Sequence, residues 1–230
     1  MNVRTTIVFS SLALIYLATL PLTPYVAQFL PKALPIVVLA VFAYTKLSAM
    51  PRYMVLAALL FSLAGDVSLA LPFADSFITG LACFFVAHLT YAMCFALLHR
   101  RLVETPGDHI ISRKPKWFIS IIMVSFAVMM AVHILPASKA LFYPVVAYIS
   151  VITLMGLTAV WLAQTKLIVT GALLFVISDA ILAQSVFKTP LPLSTFWVMT
   201  TYYGAQYCLT MGLVDGFLRK ENRQEEIGQT

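Results

Sequence analysis

Charge is what this sequence has least of. Only 10% of its 230 residues are Asp, Glu, Lys or Arg, where a soluble domain carries about 25%. That is too little to coat a water-facing surface, and with 61% apolar residues it points to an integral membrane protein. Cysteine is nearly absent. Cys83, Cys94 and Cys208 fall in apolar stretches without metal-type spacing, so they read as small buried hydrophobes rather than ligands or a disulfide frame. Histidine is scarce too. His99 and His109 sit in a polar loop, His133 near the end of a span, and His88 alone lies well inside one. A hydrolytic zinc site needs about three protein ligands, so no metal and no other cofactor is expected. Long polar segments are also missing, and any chemistry must belong to the helices. The net charge of +6 does not imply nucleic acid, because the basic residues flank the apolar runs as membrane topology requires.

What is present is a series of such runs. A span needs about 20 mostly apolar residues, and eight candidates emerge, at about 5–22, 33–47, 53–71, 76–98, 117–135, 140–163, 166–187 and 193–218. Pro21, Pro24, Pro31, Pro51, Pro72, Pro136, Pro190 and Pro192 fall at or between their ends, as helix punctuation should. The first run follows Arg4 and imitates a secretory signal, but further spans follow at once, so it reads as a retained helix. With eight spans both termini share a side. That side carries twelve of the fifteen basic residues, leaving Lys32, Lys139 and Lys188 opposite, which places both termini in the cytoplasm. The expected fold is an all-α polytopic membrane bundle of about eight helices over 1–218, in two parallel four-helix repeats (about 1–116 and 117–218). A polar loop at about 99–116 and a charged, mobile tail at 219–230 are both placed in the cytoplasm. Short loops and the lack of a eukaryotic sorting signal favour a bacterial inner membrane. Membrane lipids are the expected surroundings, and no protein partner is expected.

Two aspartates break the apolar pattern in matching contexts: Ala58-Leu59-Leu60-Phe61-Ser62-Leu63-Ala64-Gly65-Asp66, and Ala172-Leu173-Leu174-Phe175-Val176-Ile177-Ser178-Asp179. A carboxylate in hydrocarbon costs roughly 2.5 kcal/mol or more, so it faces a polar cavity or a partner. From Arg52 and Lys166 to the two acids the helical rise is about 20 Å, placing both in the outer half of a core about 30 Å thick. Gly65 and Ser178 permit close helix approach, and Ser62 lies one turn before Asp66. Each acid is followed by a proline-containing turn and another helix. One of these helices carries His88 and Tyr91 on a shared face, the other Tyr202 with Tyr203 and Gln206. These groups are expected to converge on one cavity with the aspartates as the catalytic pair. The structural alternatives stay open: the aspartates as interhelical glue, His88 as a satisfied core histidine, the tyrosines as core aromatics, and Lys32 as a snorkelling anchor.

Lys32 with nearby Pro35, Phe61 to Asp66, Gly80 to Tyr91, Gly171 to Asp179, and Tyr202-Tyr203-Gly204-Ala205-Gln206 carry a likeness that covers nearly the whole chain in order. The sequence resembles the YhhN-like lysoplasmalogenase family. It departs from the family where Lys is often followed directly by Pro, since Ala33 and Leu34 intervene here. The resemblance implies hydrolysis of the vinyl ether bond of lysoplasmalogen to a fatty aldehyde and a glycerophospho-ethanolamine or -choline. The residues suit that chemistry. Vinyl ethers open when a proton reaches the β-carbon, and the oxocarbenium ion so formed is captured by water. Two carboxyls in a low-dielectric cavity can divide this work, one keeping its proton and the other its charge. His88, Tyr91 and Gln206 would orient water or the glycerol hydroxyl, and Lys32 would meet the phosphate if it turns inward. A rival reading is a small-molecule or proton-coupled transporter, which also uses intramembrane carboxylates. Against it, the third and seventh spans have no Gly/Pro break at mid-span. A third reading is a lipid-binding or scaffold protein without turnover.

Overall fold

The computed structural model describes residues 3–103, 113–163 and 165–228. Among them the chain forms eight α-helices and no strand: α1 (Val3–Thr19), α2 (Phe29–Lys46), α3 (Ala49–Ala70), α4 (Ser76–Val103), α5 (Arg113–Ser138), α6 (Phe142–Thr158), α7 (Lys166–Phe187) and α8 (Ser194–Gly228). A single π-turn at Ala159–Ala163 extends α6. Six segments are long and apolar enough to cross a membrane: Val3–Leu22, Phe29–Lys46, Ala49–Ala70, Ser76–Arg100, Pro115–Ala163 and Lys166–Phe187. The fifth contains both α5 and α6.

The outer helices turn large apolar side chains outward, as a hydrocarbon solvent allows. α1 exposes Ile7, Leu14 and Ile15, and α5 exposes Phe118, Ile121, Val128 and Val132. The reverse holds for α8, which falls outside the six apolar segments. Its polar residues face protein: Tyr202, Tyr203, Gln206 and Thr210 are buried together with Met199, Leu209, Leu213 and Phe217. Its low hydropathy therefore reflects a central position in the bundle. The most extensive packing joins α3 to α4 and α7 to α8, and α2 and α4 also reach α8. At the α7–α8 crossing a Cβ on Gly171 would meet the Leu209 amide nitrogen at 2.9 Å and the Ala205 carbonyl at 3.0 Å. Only glycine lets the backbones approach so closely.

The helix ends differ from the sequence expectation in ways that matter for the site. α2 starts at Phe29 rather than about residue 33. Pro31 is tolerated in its first turn, where an amide hydrogen has no helical partner in any case, so Lys32 lies on the helix instead of preceding it. α5 likewise runs past Pro136 to Ser138. The tail expected from residue 219 continues α8 as far as Gly228. Residues 104–112 of the expected polar loop, His109 among them, lie outside the described residues.

Candidate active site

Four helices present a buried stripe, and the polar groups sit on those stripes. On α3 the buried positions are Val55, Ala58, Leu59, Ser62, Gly65 and Asp66, spaced by three and four as one helical face requires. Asp66 therefore points inward with its apolar neighbours. On α4 the stripe is Phe84, Ala87, His88, Tyr91, Phe95 and Leu98, and on α7 it is Ile168, Ala172, Phe175 and Ser178, with Asp179 at its edge.

The two aspartates take different partners. Lys32 Nζ forms an ion pair with Asp66 Oδ1 at 3.1 Å and donates to the Asp66 carbonyl at 3.2 Å. The Tyr203 hydroxyl donates to the Lys32 carbonyl at 2.8 Å and so ties α8 to this turn of α2. Lys32 is thus an inward-facing partner and not a surface anchor. The Tyr202 hydroxyl lies within electrostatic reach of Asp66, although neither it nor Asp66 Oδ2 makes a hydrogen bond. Asp179 Oδ2 accepts a hydrogen bond from the Tyr148 hydroxyl on α6 and lies 3.2 Å from His88 Nε2. His88 Nε2 is also 3.0 Å from the Tyr148 oxygen. Phe175 packs edge-on to the His88 ring with centroids 4.5 Å apart, which fixes the imidazole plane. The carboxylates feel each other electrostatically, but no hydrogen bond between them is found among the described residues.

A cavity of about 80 Å³ opens onto the second cluster, several times the ~10–15 Å³ that admits one water. Asp179 and Tyr148 form its polar end, and the rest is almost wholly apolar, with Leu81, Phe84, Phe126 and Ile152 among its walls. Asp66 does not line it. Phe84 belongs to both sides: its ring lines the cavity and packs edge-on to Tyr202 at 5.9 Å. Gly65 makes room for that ring, since a Cβ there would sit 2.7 Å from two Phe84 ring carbons. Gly65→Ala should therefore push Phe84 into the cavity and lower turnover through KM more than through stability. Steady-state kinetics beside a thermal unfolding curve would separate the two, and an unchanged KM would contradict it.

The other residues singled out by sequence divide into two groups. The Ser178 hydroxyl donates to the Val198 carbonyl at 3.0 Å, a link between α7 and α8. Tyr91 donates to Gln206 Oε1, away from the cavity lining. Ser62 is buried with no partner for its hydroxyl. Tyr148 escapes sequence reasoning, although a signal exists. It lies 31 residues before Asp179, much as Lys32 lies 34 before Asp66, and it is a polar-tipped aromatic inside an apolar span.

The fold and this buried polar centre define an integral membrane protein that keeps its ionisable side chains inside a helix bundle, next to an apolar cavity. Residues 27–213 match the YhhN family, and the chain belongs to that family. It is 35% identical over 190 residues to lysoplasmalogenase TMEM86B of Homo sapiens, covering 79% of this chain and 73% of that protein. It is 29% identical over 167 residues to lysoplasmalogenase TMEM86A of Bos taurus (68% of this chain, 63% of that protein). With lysoplasmalogenase TMEM86B of Sus scrofa the identity is 32% over 160 residues (68% and 61%). The chain thus spans somewhat under two thirds of the length of the bovine and porcine proteins. No solved structure matches it.

Proposed function

We propose that this protein is a lysoplasmalogenase. It hydrolyses the vinyl ether of lysoplasmalogen to a fatty aldehyde and a glycerophospho-ethanolamine or -choline. The observation that carries this reading is the Tyr148–Asp179–His88 cluster at the polar end of an apolar cavity. A single-tailed lipid can bring its alkenyl carbons to that end while its chain stays among apolar side chains. Asp179 acts as general acid and delivers a proton to the β-carbon, and the double-bond electrons form the new C–H bond. The α-carbon becomes an oxocarbenium ion. Asp66, paired with Lys32, supplies negative charge toward that cation, and the face of Phe84 adds cation–π attraction. Water adds to the α-carbon and loses a proton to the Asp179–His88 pair. The hemiacetal then collapses: its hydroxyl gives up a proton, the C–O bond to glycerol breaks, and the glycerol oxygen takes up a proton, giving aldehyde and alcohol with one water consumed.

In the same reading the chain crosses the membrane eight times in two parallel halves, with both ends in the cytoplasm. What supports it is a cyclic exchange of partners. Asp66 on α3 meets Lys32 from α2 and Tyr202 from α8, while Asp179 on α7 meets Tyr148 from α6 and His88 from α4. Each acid is served by the second helix of its own half and the fourth helix of the other. The test of function is aldehyde release by the purified protein in detergent. Lysoplasmalogen should react, and its saturated alkyl-ether analogue should not. Inertness toward the vinyl ether, or cleavage of the corresponding acyl ester instead, would overturn the proposal.

A further inference from the structure

A second polar group runs along α8 away from the cavity. Tyr202, Gln206 and Thr210 recur every four residues and share one face. Against that face stand Asp66 from α3 and Tyr91 from α4, with Ser62 one turn before Asp66 on the buried face of α3. All are buried, four of them with no exposed surface at all. Five of their polar atoms make no hydrogen bond of normal length and angle, Ser62 Oγ, Asp66 Oδ2, the Tyr202 hydroxyl, Gln206 Nε2 and Thr210 Oγ1, although Tyr202 lies toward Asp66 and Gln206, and Tyr91 toward Thr210. Hydroxyls elsewhere in this bundle do not behave so. Those of Ser68, Thr90, Ser150 and Thr153 each donate to the carbonyl one turn back, the cheapest solution in an apolar environment. Ser62 and Thr210 forgo that bond and turn inward. A buried polar group without a partner costs about 1–3 kcal/mol, and a cluster of them along one line needs an occupant that both donates and accepts.

We infer that Ser62, Tyr91, Tyr202, Gln206 and Thr210 bind a file of ordered water that ends on Asp66 Oδ2 and supplies the water consumed in hydrolysis. From Tyr202 to Thr210 the helix rises about 12 Å, a length that about four waters at ordinary hydrogen-bond spacing would span. Each would find the two to four polar partners that a buried water needs. Beyond Thr210 the buried Leu213, Val214 and Phe217 close the file with apolar side chains, so it both refills and discharges at the Asp66 end. The binding of water rests on this geometry alone, and the supply role rests on the reaction proposed above.

Radiolytic hydroxyl labelling of the whole protein, read by mass spectrometry, separates the two claims. Tyr91 and Tyr202 should be modified readily in spite of their burial. Protection of both buried tyrosines would overturn the file even if the enzyme hydrolyses lysoplasmalogen. Thr210→Val removes one water site without changing shape. Expected are loss of labelling at Tyr91, a lower thermal midpoint, and kcat reduced about tenfold at unchanged KM. In a dry core the same substitution deletes an unpaired hydroxyl, so a raised midpoint with unchanged kcat overturns the inference. Lost labelling with full kcat would leave bound water but overturn its supply role. If the wild-type protein released no aldehyde, the function would fall while labelling still decided the file.

Discussion

Asp179→Asn should abolish aldehyde release from lysoplasmalogen while the protein still folds and inserts. The asparagine keeps the size of the side chain and can still accept from Tyr148, but it has no proton to give the β-carbon. Losing a positioned general acid costs about 10²–10⁴ in rate, and the loss should fall on kcat with KM nearly unchanged, because the apolar walls that hold the chain are untouched. Tyr148→Phe is the graded companion. It removes the hydrogen bond that positions the carboxyl, worth about 0.5–1.5 kcal/mol, and should lower kcat by about two- to tenfold. Full activity in purified Asp179→Asn would discard the role assigned to this acid, and full activity in Tyr148→Phe would reduce Tyr148 to packing.

The second large effect concerns the Lys32–Asp66 pair, and it is read in stability as well as in rate. Lys32→Met leaves a carboxylate buried without its cation, and Asp66→Asn leaves an ammonium without its anion. Removing one partner of a buried pair costs about 3–5 kcal/mol, whereas replacing both is often neutral. Each single variant should therefore melt well below the wild type. The double variant Lys32→Met/Asp66→Asn should recover most of the loss yet remain without turnover. Thermal unfolding of all four proteins in one detergent closes the cycle. Additive losses would mean that the pair is not coupled, and restored turnover in the double variant would end any catalytic part for Asp66.

Much of the bundle could be read from composition alone. A membrane core tolerates few charges and requires helices of known length, so the apolar runs and their prolines locate eight helices within a few residues, the C-terminal end of α8 excepted. The differences arise where a weak signal was read too strictly. Pro31 is permitted inside a first turn, so α2 begins earlier than its apolar run. Tyr202, Gln206 and Thr210, which help lower the hydropathy of α8 within the bundle, are enclosed by its neighbours. The candidate residues were legible for the same reason: Asp66, Asp179, His88 and Gln206 are expensive in hydrocarbon and so stand out. Tyr148 and Thr210 did not, because a tyrosine or threonine in a span is cheap enough to be ordinary.

The sequence by itself determined that this chain is helical, lives in a membrane, and carries two aspartates in duplicated settings, because each of those follows from local solvation cost. Who meets whom was decided only by the tertiary structure. Lys32 turns inward to Asp66, His88 and Tyr148 enclose Asp179, and Phe84 stands at the boundary of the cavity. These pairings depend on how α4 and α8 cross between the halves. His88 and Asp179, 91 positions apart in the chain, reach 3.2 Å only through that crossing, while Tyr148 meets Asp179 through packing within the second half, and no local pattern encodes either.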